Sequence, residues 1–249
     1  MIQDERTPIR IIQTDNGLCP YLEKENWQNI SFQTSKLPPG RYSSLLNQGF
    51  RRSGRTIYHP VCFSCQECIP IRVDALNFIK NKGQRRTWRK NSDLRVEHHA
   101  AEFNQEDFTL YSRYQHAWHK IDVRVKEDEY LDFLIDSPVP TEILRYYLGE
   151  KLIGLGWVDR LPELLSSVYF VFDPDYVSRR LGVFSLLYEI EYARSLDIRW
   201  LYLGYWVKNS AKMKYKADYQ PAELLYDSKW IPFISYPSRD LKNFTSENE

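Results

Sequence analysis

Residues 141–207 limit the architecture of this chain more than any other stretch. TEILRYYLGE, KLIGLGWVDRL and SSVYFVFDP are three successive runs rich in β-branched and aromatic residues, the composition of strands. LGVFSLLYEIEYARSLD then has the apolar spacing and length of a strong helix, and RWLYLGYWV reads as one more strand. Upstream, EDFTLYSRYQHAWH and EDEYLDFLI carry aromatics and aliphatics at helical spacing. Two helices, an antiparallel meander, a long helix and a final strand predict an α+β domain over residues 101–249.

That order is the order of a GNAT-like acyltransferase domain, although a fold does not by itself fix an activity. In such a domain Arg179-Arg180-Leu181-Gly182-Val183-Phe184 occupies the turn where a pyrophosphate meets a helix N-terminus. Phe184 replaces the small residue usual there, and its ring is expected to obstruct coenzyme A.

The first hundred residues read differently. Pro38, Pro39 and Gly40 break the chain, and RYSSLLNQGF forms a short helix closed at Gly49. Strands follow around RTIYHPV and PIRVDALNF, and the basic segment QRRTWRKNSDLRVEHH closes the region. A boundary near residue 100 therefore predicts a small N-terminal domain, residues 1–100, that holds all four cysteines. The chain is long enough for two such cores. The polar tail TSENE is expected to fray.

Charge is divided unevenly along the chain. From Lys36 to Lys90 there are twelve Lys and Arg against only Glu67 and Asp74, while from Glu102 to Glu142 ten acids face four bases. The first segment suits a polyanionic or acidic partner as well as it suits a solvated basic face. No apolar run approaches the roughly 20 residues that span a bilayer. MIQDERTPIRII mixes both charges and lacks the apolar core of a secretory signal. A cytoplasmic location, no membrane partner and reduced cysteines are the expectation. Nothing in the residues fixes an oligomeric state.

Several constellations can carry chemistry. Cys62, Cys65 and Cys68 form a C-x2-C-x2-C cluster, and Cys19 is the only other cysteine. Four thiolates suit a structural zinc or an iron–sulfur cluster, and they equally suit small apolar gaps in a core. Arg51, Arg52, Arg55 and Arg72 are gathered around a turn and two short strands, with Tyr58 nearby. Their planar forks suit a carboxylate, and the local scarcity of acids argues against plain surface ion pairs. Arg85, Arg86, Arg89 and Lys90 surround Trp88, a pattern that suits a phosphate backbone with an unstacked base. Lys212 and Lys214 belong to a second basic run, VKNSAKMKYKADY. His116 and His119 share a helical face and receive no catalytic role. The chain has no G-x-S-x-G, P-loop or H-E-x-x-H.

Taken together, CPYL, GFRRSGRTIYHPVC, CFSCQECIPIRV, QRRTWRK, FTLYSRY, VYFVFDP and the run from Leu181 to Val207 resemble the bacterial aspartate/glutamate leucyltransferases, relatives of the eukaryotic arginyl-tRNA–protein transferases. The resemblance covers nearly the whole chain. Leu22, where the eukaryotic pattern has a second cysteine, points to the leucyl branch. Trp118-His119 and RLGV at 180–183 depart from the bacterial pattern, which has Arg-His and SLGT. The resemblance implies transfer of leucine from leucyl-tRNA to proteins with N-terminal Asp or Glu, in an N-degron pathway, with no cofactor required for the chemistry. It further implies an N-terminal domain reading the acidic N-terminus through Arg51, Arg52, Arg55, Tyr58 and Arg72. Charged tRNA would meet Arg85, Arg86, Arg89, Lys90, Arg179, Arg180, Lys212 and Lys214.

Overall fold

The computed structural model describes residues 10–23 and 25–237. The tail TSENE and most of the N-terminal segment lie outside these residues. Two sheets organise the chain. The first contains β1 (Ile12–Leu18), β2 (Asn26–Gln33), β3 (Arg51–Ser53) and β4 (Thr56–Pro60) in the order β1-β2-β4-β3. The second is built from β5 (Ile69–Asp74), β6 (Leu94–Ala100), β7 (Thr141–Leu148), β8 (Lys151–Arg160), β9 (Leu164–Phe172), β10 (Trp200–Trp206), β11 (Ala222–Tyr226) and β12 (Lys229–Pro232). Its order is β12-β11-β5-β10-β9-β8-β7-β6. The expected order of α3 (Gln105–His119), α4 (Glu127–Tyr130) with the π-turn Leu131–Ile135, the β7–β9 meander, α5 (Leu181–Ser195) and β10 is present. The fold is mixed α/β.

The boundary expected near residue 100 does not separate the sheets. β5 lies between β11 and β10, and β6 pairs along β7 from Leu94–Leu148 to Ala100–Glu142. Residues 69–100 thus complete the large sheet, because Ile71 and Val73 are fully buried and need its core. Two helices belong to the first hundred residues. α1 (Pro39–Asn47) starts at the expected break: Pro39 lacks the N–H that the first helical turn leaves unbonded anyway. α2 (Lys82–Lys90) begins at a reciprocal capping box between Asn81 and Gln84.

Phe184 corrects another expectation. The side chain is 4% exposed and packs against Trp88 and Tyr146, with ring centroids 5.2 and 6.1 Å away. It therefore builds the core between α2, α5 and β7 and does not obstruct the turn at Arg180. Trp88 is likewise unavailable to a base: besides Phe184, the Lys80 ammonium lies 4.4 Å from its ring centre.

Gly54 explains the turn after RRS. Its φ of +55° and its approach to the π-turn leave no room for a side chain, since a Cβ would lie 1.8 Å from the Asp132 carbonyl oxygen. The Gly54 N–H donates to the Phe133 carbonyl at 3.0 Å, which ties the β3–β4 turn of the small sheet to the π-turn.

Candidate active site

The site is created by two strands that part. β9 and β10 run parallel, but their pairing covers only Leu164–Ser166 with Trp200–Tyr202. Beyond that point β10 follows β5, pairing Tyr205 with Pro70 and Trp206 with Ile69. β9 follows β8, with Val168 standing as an extra residue between the Tyr169–Trp157 and Ser167–Val158 pairs. The divergence leaves a slot in the ladder between the strands, edged by backbone groups outside the pairing.

Arg51 enters this slot from the small sheet. Its Nη1 donates to Ser166 Oγ at 2.8 Å, and its Nη2 donates to the Ser167 carbonyl oxygen. The side chain crosses Gly204, whose φ is +79° and whose added Cβ would lie 3.3 Å from Arg51 Nε. Arg51 is 9% exposed, and among the described residues it belongs to no ion pair. Tyr58, its cross-strand partner, stands above Tyr205 with ring centroids 6.3 Å apart. Burial raises the Tyr58 hydroxyl, so it stays a neutral donor.

Two further ionisable groups meet there, and sequence reasoning assigned neither. Glu189 of α5 is fully buried; Oε1 accepts from Ser185 Oγ at 3.2 Å, while Oε2 has no hydrogen-bond partner. Burial pushes its carboxyl up to about 7, with Ser167, Ser185 and Arg51 opposing. Lys216, 7% exposed, donates from Nζ to the Tyr205 carbonyl at 2.8 Å. Burial, reinforced by the positive charge of Arg51, brings its ammonium down to about 7. A Glu inside a helical apolar pattern and a Lys inside a basic run look ordinary in sequence.

An aromatic cluster packs on the β9 side beyond the divergence. Tyr111 and Tyr114 of α3 meet Tyr169 and Phe172, with centroids 6.4 and 5.2 Å apart. Phe133 closes on Tyr169 at 5.2 Å. At its edge Trp118, half exposed, lies on Tyr114 and Phe172. His119 is lowered by burial and by nearby Lys212.

The other arginines of the expected acid reader are already engaged. Arg52 is buried against Asp159, with Nε 2.8 and 3.0 Å from its oxygens and Nη2 donating to Thr141. Tyr42 donates to the same carboxylate at 2.8 Å. Arg55 makes a surface pair with Asp136 at 2.9 Å. Arg72 pairs with Glu223 and is held between Trp200 and Trp230, 4.0 and 4.3 Å from their ring centres. The acids missing from the local sequence arrive from residues 136–223.

Arg85, Arg86, Arg89 and Lys90 are exposed on one face of α2, whose other face buries Gln84 and Thr87. None of the four forms an ion pair among the described residues, although Lys90 Nζ donates to the Ser178 carbonyl at 2.8 Å. That bond brings α2 beside the turn before α5, where Arg180 is exposed and Arg179 is paired with Asp93. Lys212 and Lys214 are exposed farther along the chain.

Cys19, Cys62, Cys65 and Cys68 are free thiols. Burial pushes Cys68 up to about 12, and Cys19, Cys62 and Cys65 add to the shift, so the four are neighbours. Among the described residues, no group of three or more His, Cys, Asp or Glu side chains is closed tightly enough to hold an ion.

A buried guanidinium without an ion-pair partner among the described residues and a solvent-facing cationic helix are the two features of this structure suited to anionic groups. Comparison with known proteins is consistent with this. Residues 17–86 match the arginine-tRNA-protein transferase N-terminal family, and residues 106–226 match its C-terminal family. The aspartate/glutamate leucyltransferase of Saccharophagus degradans is 39% identical over 91% of this chain and 98% of its own length. The proteins of that name from Nitrosococcus oceani and Pseudomonas putida are 39% and 35% identical over 85% and 91% of this chain, and over 91% and 98% of their own lengths. The chain belongs to the arginine-tRNA-protein transferase family of aminoacyltransferases.

Proposed function

We propose that this protein transfers leucine from leucyl-tRNA to the α-amine of proteins that begin with Asp or Glu, in the cytoplasm, as part of an N-degron pathway. The observation that carries the reading is Arg51: a buried guanidinium whose hydrogen bonds go only to neutral acceptors, at the point where β9 and β10 part. An acceptor carboxylate would supply its missing counter-charge. The acceptor amine, once neutral, attacks the ester carbonyl; the C–N bond forms, the C–O bond to the ribose breaks, and the amine proton ends on the departing ribose oxygen. Backbone N–H groups at the Val168 irregularity are the donors we assign to the oxyanion. No cofactor is needed for this step, because an aminoacyl ester is already activated and the main task is orientation.

The aromatic cluster of Tyr111, Tyr114, Phe133, Tyr169 and Phe172 suits a leucyl side chain. The buried acids beside this region, Asp107 and Asp173, are already paired with Arg145 and with Arg113 and Lys151, which favours leucyl over arginyl donors. The exposed cations of α2, with Arg180, Lys212 and Lys214, suit tRNA phosphates. We further propose that the four neighbouring cysteines, which form no closed ion site as they stand, draw together as thiolates around zinc or an iron–sulfur cluster. Elemental analysis of anaerobically purified protein tests it, and a fully active protein free of both would leave only the packing role.

The decisive experiment compares leucyl-tRNA and arginyl-tRNA as donors to peptides beginning with Asp, Glu, Ala or Lys. Transfer of leucine to the first two is expected. A preference for the arginyl donor overturns the leucyl assignment, and equal use of Ala or Lys peptides overturns the acidic acceptor.

A further inference from the structure

Lys216 has no part in the transfer step itself, yet its position is unusual. The run KMKYK sends Lys214 into solvent, while the 3-10 turn Lys214–Asp218 carries Lys216 inward to 7% exposure. Its Nζ is fixed on the Tyr205 carbonyl at 2.8 Å, and the neighbouring residue on the same strand, Gly204, is the one that Arg51 crosses. One buried cation is therefore bonded to Tyr205 of β10, while the other, bonded to Ser166 and Ser167 of β9, passes over the preceding β10 residue, so the two flank the point where the strands part. Among the described residues neither forms an ion pair, and a lysine has three N–H donors, of which the Tyr205 carbonyl takes one. Like charges placed so close in a dry site are unfavourable alone. An anion between them removes that cost.

Resting on the acidic-acceptor reading, we propose that Lys216 is the second cation of the acceptor site and that, with Arg51, it makes the site select a side-chain carboxylate over the corresponding amide. One guanidinium alone discriminates weakly, because it donates to an amide oxygen as well as to a carboxylate. Two buried basic groups without an ion-pair partner among the described residues change the comparison. A neutral Asn or Gln side chain leaves both charges buried without a counter-ion, whereas Asp or Glu satisfies them. Tyr58 and Tyr205 close the site with uncharged rings and hydroxyls, and burial pushes the nearby Glu189 carboxyl up to about 7, so that acid offsets the cations only in part.

The test uses the full-length protein, leucyl-tRNA, and matched peptides beginning with Asp or Asn. Lys216→Gln removes the charge and keeps an N–H donor on a shorter side chain; Lys216→Met removes both charge and donor. We expect KM for the Asp peptide to rise about 30-fold or more in Lys216→Gln. The Asp-over-Asn preference should collapse with it, while the affinity for leucyl-tRNA stays unchanged and Lys216→Arg recovers part of the preference. Equal losses for Asp and Asn peptides, or an unchanged KM for Asp, overturn the proposal, and Lys216→Gln keeps the test valid if Lys216→Met does not fold. If the wild-type protein itself does not prefer Asp to Asn, the acidic-acceptor reading fails, whatever the variants do.

Discussion

Four arginines close in sequence have four different physical situations. Arg52 shares a fully buried carboxylate with Tyr42 and Thr141, so Arg52→Ala leaves Asp159 charged and stranded. Urea unfolding should show a loss of about 3–5 kcal/mol. Arg55 and Asp136 lie largely in solvent, and Arg55→Ala should cost less than about 1 kcal/mol in the same measurement. Arg51→Ala should instead act on catalysis, raising KM for Asp and Glu peptides with leucyl-tRNA binding retained. The three outcomes are separable by pairing urea titration with acceptor kinetics. A stable Arg52→Ala protein with a specific acceptor defect would exchange the roles of Arg51 and Arg52. The arginine cluster was legible in the sequence, but its partners were not, because Asp159, Asp136 and Glu223 are brought in by strand and loop packing.

At the level of elements, α2 and α5 carry opposite kinds of surface. α2 buries only a narrow face and turns Arg85, Arg86 and Arg89 outward. Replacing all three with Ala should flatten the salt dependence of tRNA binding by about one unit of slope for each phosphate no longer neutralised. An unchanged slope in filter binding would mean that the face is merely solvated. α5 is buried on most sides, and Glu189 sits within it at the back of the slot. Its carboxyl is held up at about 7 in the folded state, above the roughly 4.3 of an unfolded chain. The protonated group therefore stabilises the fold fully below about pH 4, and that contribution is lost as pH rises through 7. Glu189→Gln should raise the melting temperature relative to the wild type at pH 8 and leave it unchanged at pH 4, as calorimetry at the two pH values would show. A lower melting temperature at pH 8 would mean that the ionised carboxylate is better satisfied than its unpartnered Oε2 indicates.

Over the whole molecule, the two halves cannot be cut apart at residue 100. β10 and β11 meet only through β5, and a chain of residues 101–249 lacks it. Ile71 and Val73 would leave a gap in the core beside Leu201, Leu203 and Leu224. The fragment should therefore show no cooperative thermal transition by circular dichroism, whereas the full chain should. A cooperatively folding fragment would restore a boundary near residue 100.

The sequence by itself determined the local elements of the second half. The β-branched and aromatic runs of β7 to β10 and the apolar spacing of α5 depend on nearest neighbours along the chain, and the structure has them where the pattern placed them. It also determined the presence of an arginine-rich turn and of Gly54 within it. Tertiary structure alone decided which strands are neighbours, since β5 joins β10 and β11 from more than a hundred residues away. It alone decided which charges are neutralised and which are left over. Electrostatic compensation depends on distance in space and on burial, and neither is encoded in the spacing that made Arg51, Arg52, Arg55 and Arg72 look alike.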